Sequence, residues 1–206
     1  KAQYKATGRN DPLLAGKVLA MIFEKPSLRT RVSFNNAAVH LGGTGLLLRD
    51  EEVGLDTREP VRDVARVLAG MCDGIMARTF EHEKILNLRK WSTVPVINGL
   101  TDYSHPCQAM ADLMTIEEHF GALEGRTVAF VGDGNNVAHS LMLDSARLGV
   151  NFTCITPPGY EPSPEILASA VAFAESTGAR IRTTTSLEDG LAGVEAIYTD
   201  VWASMG

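Results

Sequence analysis

Short apolar runs alternate along the chain with longer stretches in which apolar residues recur every three or four positions. That pattern builds β-α-β units around parallel sheets. The short runs are Val18–Phe23, Gly45–Leu48, Gly74–Ala77, Val94–Ile97, Thr127–Val131, Phe152–Thr156, Arg180–Thr184 and Ala196–Thr199. They are rich in Val, Ile, Leu or Phe, as expected of strands covered on both faces. Helical spacing falls over Pro60–Met71, where Val61, Val64, Ala65 and Leu68 share a face and Pro60 suits a first turn. Further helices are predicted over Glu83–Trp91, Pro106–Phe120, Val137–Leu148 and Pro164–Thr177, and an apolar helical pattern also starts at Val32. The order predicts an α/β chain with two doubly wound parallel-sheet domains, residues 1–121 and 122–206, joined by interdomain helices. Pro106–Phe120, ending at Gly121, is the natural bridge.

Charge changes this picture in one respect. Residues 1–121 carry 15 Lys+Arg and 15 Asp+Glu, whereas residues 122–206 carry 4 and 10. An acidic second half suits a cation, although surface drift would look the same. A chain of net charge -6 is expected to be a poor binder of nucleic acid, since such a binder would usually show a basic face. No apolar run approaches the roughly 18–20 residues that span a bilayer. Three widely spaced cysteines, Cys72, Cys107 and Cys154, form neither a disulfide framework nor a zinc motif. The expectation is a soluble protein of the cytoplasm, or of the mitochondrial matrix in a eukaryote.

Ligands of open α/β sheets bind beyond the carboxyl ends of strands, so the residues following each strand carry the candidate chemistry. After Val18–Phe23 comes Glu24-Lys25-Pro26-Ser27-Leu28-Arg29-Thr30-Arg31. Pro26 stops the strand and Ser27 is placed to cap a helix, leaving the N–H groups of Leu28, Arg29 and Thr30 facing outward. Those donors, the helix dipole and neighbouring Arg side chains suit a phosphate; an ordinary cap among solvated Lys and Arg would read similarly. Arg78 follows the third strand. His105 and Gln108 bracket a helix start after the fourth, where both can donate to a developing oxyanion; a His satisfied by backbone carbonyls is the alternative. Cys107 reads as structural. In the second half, Gly132-Asp133-Gly134-Asn135-Asn136-Val137 resembles a dinucleotide fingerprint. It departs from it because Val137 replaces the third glycine and no acid follows about 20 residues on. Asn135 and Asn136 offer amides for a carboxylate or an amine, and Asp200 is a counter-ion for an amine. His40, His82, His119 and His139 share no ligand spacing, so no metal and no organic cofactor are expected.

Together these segments resemble the aspartate/ornithine carbamoyltransferase superfamily, on its ornithine branch. Its phosphate signature stands here as Ser27-Leu28-Arg29-Thr30-Arg31, and its His-Pro-x-Gln as His105-Pro106-Cys107-Gln108. The Gly-Asp-Gly-Asn-Asn stretch is Gly132–Asn136, and the Asp-x-x-x-Ser-Met-Gly loop is Asp200–Gly206. The resemblance implies two Rossmann-like domains, the first binding carbamoyl phosphate and the second L-ornithine, with catalysis in the cleft between them. By the same resemblance, Ser27, Leu28 (through its N–H), Arg29, Thr30 and Arg78 hold the phosphate. Arg29, Thr30 and His105 polarise the carbamoyl oxygen, and Gln108 binds the carbamoyl amine. Asn136, Asp200, Ser204 and Met205 position ornithine, with Asp200 facing its α-amino group. A homotrimer is implied, in which a loop within Arg49–Glu59 reaches a neighbouring site. The products are L-citrulline and phosphate.

Three departures from the family pattern stand out. Leu28 replaces the usual Thr. The Glu51–Glu59 loop is longer than Gln-Leu-Gly-x-x-Glu, with Glu52 near the expected Gln. The family's His-Cys-Leu-Pro motif and closing helix are not found in the sequence up to Gly206, and part of the N-terminal helix is expected to be missing too, so reduced turnover is expected of this chain. Rival readings are carbamoyl transfer to another amine such as putrescine, a non-catalytic phosphate-binding fragment, and a dinucleotide-binding module.

Overall fold

The computed structural model describes residues 2–200. It divides into two compact units between Thr101 and Asp102. The first contains α1 (Ala2–Thr7), β1 (Val18–Phe23), α2 (Leu28–His40), β2 (Thr44–Arg49), α3 (Asp50–Val53), α4 (Val61–Ala69), β3 (Gly74–Arg78), α5 (His82–Trp91) and β4 (Val96–Leu100). Its strands form a parallel sheet in the order β2-β1-β3-β4. The alternation of a strand sends successive side chains to opposite faces, and β1 shows why the sheet is covered twice. Ala20 and Ile22 pack with Val61, Val64, Ala65, Ile85 and Leu88 of α4 and α5, while Met21 and Phe23 pack with Met76, Phe34 and Leu47. The predicted doubly wound half is therefore present.

The second unit contains α6 (Pro106–Phe120), β5 (Thr127–Val131), α7 (Asn136–Arg147), β6 (Asn151–Ile155), α8 (Pro164–Thr177), β7 (Ile181–Thr184), α9 (Leu187–Leu191) and β8 (Ala196–Thr199). Its parallel sheet runs β7-β6-β5-β8. Phe130 and Phe152, both 0% exposed, centre a core completed by Leu113 of α6, Leu141 and Met142 of α7, and Ile166 of α8. Helix α6 thus contributes to this core and groups with the second unit. Among the described residues, no helix is long and apolar enough to cross a membrane.

The clearest correction concerns β4, expected over Val94–Ile97 and found over Val96–Leu100. Ser92 Oγ takes the Val94 N–H at 3.1 Å and Pro95 has no N–H, so the ladder starts late. It then runs through Gly99, where a Cβ would stand 2.6 Å from Met76 Sδ; only glycine lets the strands approach this closely. Sequence periodicity also passed over α3 and α9, of four and five residues, because each is too short to show a period. The Glu51–Glu59 segment is accordingly a short helix and a turn rather than an open loop. Its Leu55 is 1% exposed, and Glu52 Oε2 accepts the Arg49 N–H at 2.7 Å.

His139 of α7 fastens three parts of the second unit. Its Nδ1 lies 2.9 Å from the Tyr103 carbonyl and its Nε2 accepts the Ser163 N–H at 3.1 Å, which fixes a neutral ring protonated on Nδ1. Burial lowers its pKa from 6.5, outweighing the Tyr103 carbonyl and the Asp133 charge. The unfolded chain therefore takes up the proton first, and stability should fall as pH drops below 6.5. Scanning calorimetry of the wild type and His139→Ala from pH 8 to 5 checks this. The variant should be less stable at pH 8 by about 1–3 kcal/mol, for two lost hydrogen bonds, and should lose much of the acid-side slope.

Candidate functional site

Where neighbouring strands of an open parallel sheet are followed by helices on opposite faces, a crevice opens at their carboxyl ends. In the first unit the winding reverses at β1, which pairs with β2 on one side and β3 on the other. The residues singled out from sequence follow those two strands. Ser27 is the N-cap of α2, in extended conformation (φ -152°, ψ 116°), and its Oγ accepts the Thr30 N–H at 3.3 Å. The same hydroxyl lies 3.0 Å from Thr30 Oγ1. Arg78, last residue of β3, pairs in register with Phe23 and sends Nη1 across to Thr30 Oγ1 at 3.3 Å. Ser27, Thr30 and Arg78 are thereby held together.

The electrostatics of this corner are unbalanced. Arg78 Nε is buried and has no hydrogen-bond acceptor among the described residues. Burial, and next the Arg29 guanidinium, lower the Arg78 pKa from its usual value. Two cations facing one another at a helix N-terminus define a place where an anion is stabilised. Leu28 is 78% exposed and contributes no side-chain donor, so its contribution to an anion is limited to its N–H. A cavity of about 450 Å³ opens beside the helix start, lined by Phe23, Pro26, Ser27, Leu28, Arg31 and Arg49 among others.

The second sheet repeats the geometry with opposite charge. Its winding reverses at β5, which pairs with β6 and β8. Asn135 follows β5 and Asp200 follows β8. Asn135 is the N-cap of α7: its Oδ1 accepts from Val137 N at 2.9 Å and Ala138 N at 3.1 Å. This corrects the expectation of a freely available amide, because the carbonyl end already caps the helix. The other end donates to Asp200 Oδ2 at 3.4 Å. Asn136, first residue of α7, is 5% exposed. Gly134 has no Cβ because one would meet Pro162 N at 2.3 Å; its N–H donates to the Tyr160 carbonyl at 2.8 Å. The fingerprint-like glycine is thus filled by the protein's own backbone.

His105 is the N-cap of α6, ahead of Pro106, and its N–H donates to Ser140 Oγ at 2.8 Å. Gln108, in the first turn, donates from Nε2 to Asp112 Oδ1 at 2.9 Å. Asp112 is pushed up to about 6, chiefly by burial, with the Gln108 bond opposing and the Asp200 charge adding. Tyr198 is pushed up to about 12 by burial and then by Asp112 and Asp200. Asp112 was not singled out from sequence, although its place four residues after Gln108 puts both on one helical face. Ser204 and Met205 lie outside the described residues. The thiols of Cys72, Cys107 and Cys154 are all raised by burial, the reverse of an activated thiolate. No cluster of three or more His, Cys, Asp or Glu among the described residues could hold a metal.

Residues 1–118 match the aspartate/ornithine carbamoyltransferase carbamoyl-P binding domain, and residues 124–206 match the corresponding Asp/Orn binding domain. An ornithine carbamoyltransferase of Bacillus cereus strain 03BB102 is 51% identical over 205 residues, covering 100% of this chain and 65% of that protein. The chain therefore spans about two thirds of the length of such relatives. Among solved structures, ornithine carbamoyltransferase from Pyrococcus furiosus aligns with a TM-score of 0.95 at 47% identity, over 98% of this chain and 65% of that one. The anabolic enzyme from Campylobacter jejuni aligns at 0.92 and 39%, over 100% and 67%. Matched in order by both domains of one family, and half identical to a member along its whole length, the chain belongs to the aspartate/ornithine carbamoyltransferase family.

Proposed function

We propose that the chain takes part in transfer of the carbamoyl group from carbamoyl phosphate to the δ-amine of L-ornithine, giving L-citrulline and phosphate. The observation that carries the reading is Arg78 beside Arg29 at the start of α2, with Arg78 Nε buried and lacking an acceptor among the described residues. A phosphate dianion supplies that acceptor and relieves the repulsion between the two guanidinium groups. The amine nitrogen of ornithine attacks the carbamoyl carbon, the bond from that carbon to the phosphate oxygen breaks, and the amine gives up a proton. Leaving-group charge is met by Ser27, the N–H groups of Leu28 and Arg29, and Arg78; the Thr30 N–H is taken by the Ser27 cap. Charge on the carbamoyl oxygen is met by Arg29 and Thr30, and by His105 on the strength of the family motif. Each such donor is typically worth about 3–4 kcal/mol.

Gln108 is assigned to the carbamoyl amine, and the Asp112 contact supports this. An ionised carboxylate only accepts, so the Gln108 nitrogen faces it and the amide oxygen is left to take an N–H from the ligand. Asp200 at the second reversal is assigned to the α-amino group of ornithine, alongside Asn136, Ser204 and Met205. Burial raises Asp112 and Tyr198 and the Asp200 charge adds to both, which supports a negative site that a cation would relieve. Preference for an α-amino acid over putrescine follows from that assignment. The homotrimer implied by the resemblance belongs to the same reading.

Three outcomes follow. Arg29→Ala and Arg78→Met should each weaken carbamoyl phosphate binding, measured by calorimetry, by at least tenfold, or about 1.4 kcal/mol. Smaller losses would remove the phosphate role. Asp200→Asn should weaken ornithine binding at least tenfold while leaving carbamoyl phosphate affinity in place; equal loss for putrescine would detach Asp200 from the α-amino group. Sedimentation should give a trimer, and a monomer at micromolar concentration would remove that part of the proposal.

A further inference from the structure

The phosphate donors of the first unit sit on two separate segments: the β1–α2 turn with Ser27, and the end of β3 with Arg78. A cluster outside the donor set joins them. Glu24, immediately after β1, donates its N–H to the Arg78 carbonyl at 3.0 Å. Its Oε2 accepts the Phe80 N–H at 3.1 Å, and its Oε1 accepts from Lys84 Nζ at 2.7 Å. The two charged side chains are 6% and 14% exposed, so the pair is largely withdrawn from water. Lys25 Nζ lies 5.7 Å from the centre of the Phe80 ring, adding a second tie between the same segments. On the far side, Thr79 is 0% exposed, its N–H bonded to the Leu100 carbonyl at 3.0 Å and its hydroxyl to the Glu81 carbonyl at 3.0 Å.

The charge of Glu24 is at odds with its neighbourhood. A carboxylate three residues from Ser27 repels the anion that the helix start is built to hold, and removing a buried carboxylate from water is costly unless it is paired. Lys84 supplies the pairing: burial alone would lower its pKa, yet the hydrogen bond and charge of Glu24, with Glu81 and Asp56, carry it above the usual lysine value. Between Glu24 and Ser27, Pro26 fixes one backbone torsion, so displacement of Glu24 passes to the cap with little slack.

We propose that Glu24, locked by Lys84, is a positioning residue of the phosphate site: it holds the Ser27 turn at the separation from Arg78 at which both sets of donors reach one anion. The inference rests on the phosphate reading above, and it predicts an effect opposite in sign to simple electrostatics. If the Glu24 charge acted only through space, Glu24→Gln would remove a repulsive neighbour and tighten anion binding. If Glu24 acts by position, Glu24→Gln weakens binding despite the lost repulsion. Glu24→Asp, which keeps the charge but is one methylene too short to reach both Phe80 N–H and Lys84, weakens it as well.

Calorimetric titration of the full chain with carbamoyl phosphate, and separately with inorganic phosphate, tests this. Thermal unfolding reports whether each variant is folded. Both variants should bind carbamoyl phosphate at least tenfold more weakly than wild type. The charge-conserving Glu24→Asp keeps the test decisive should Glu24→Gln fail to fold. Unchanged or tighter binding by a folded variant, even one of lowered melting temperature, would overturn the positioning role alone and leave Glu24 as a purely structural ion pair. Absence of binding by the wild type to either ligand would overturn the phosphate reading, and this inference with it.

Discussion

A parallel sheet that winds outward in one direction and then restarts on the other side of its first strand cannot cover the point of reversal with a connection. In this chain the reversal occurs twice, at β1 and at β5. Each such point sits at the carboxyl ends of two adjacent strands, and helix α2 or α7 begins there behind a side-chain cap, Ser27 or Asn135. The polar residues of interest are distributed accordingly. Ser27 and Arg78 flank one reversal; Asn135 and Asp200 flank the other.

The two reversals differ in what they leave electrostatically unfinished. At β1, burial and then the Arg29 charge lower the Arg78 pKa, and one buried N–H lacks an acceptor among the described residues. At β5, Asp112 and Tyr198 resist ionisation, through burial first and then through the neighbouring Asp200 charge. Each pocket of like charge is unfavourable in isolation and becomes favourable with a ligand of opposite sign. Such sites can be tolerated because the cores behind them are fully buried, around Ile22, Ile75 and Leu88 in one unit and Phe130 and Phe152 in the other.

The fold class was legible because buried parallel strands announce themselves as short apolar runs, and because each half repeats the alternation. Local chemistry was legible where it is encoded within a few residues: the Ser27 cap meets Thr30 three positions on, and the helix after Pro106 carries Gln108 in its first turn. Legibility ended where a contact joins distant positions. Glu24 meets Lys84 and Phe80 across more than 50 residues of chain, and no periodicity points from one to the other. The Asn135 side chain illustrates a different limit. Its residue type suits both a ligand contact and a helix cap, and only the backbone geometry of α7 shows that the cap holds its oxygen. Strand β4 was misplaced because the apolar run Val94–Ile97 extends across Pro95, which cannot donate to the ladder, and stops short of Gly99, which close packing on Met76 makes part of it.

Gly134 carries a consequence for how this scaffold can diversify. In folds that seat a dinucleotide, the corresponding glycine keeps backbone low so that a pyrophosphate can lie over it. Here the space above Gly134 is occupied by residues 160–162 of the same unit, and the Gly134 N–H is already bonded to Tyr160. The turn after β5 and the segment after β6 are therefore mutually templated: neither can accept a bulkier backbone path without evicting the other. Recruiting a nucleotide to this corner would require rebuilding two segments at once, a coupled change that stepwise substitution reaches with difficulty. What looks in the sequence like an ancestral invitation to a cofactor is, in three dimensions, a doorway bricked up from the inside.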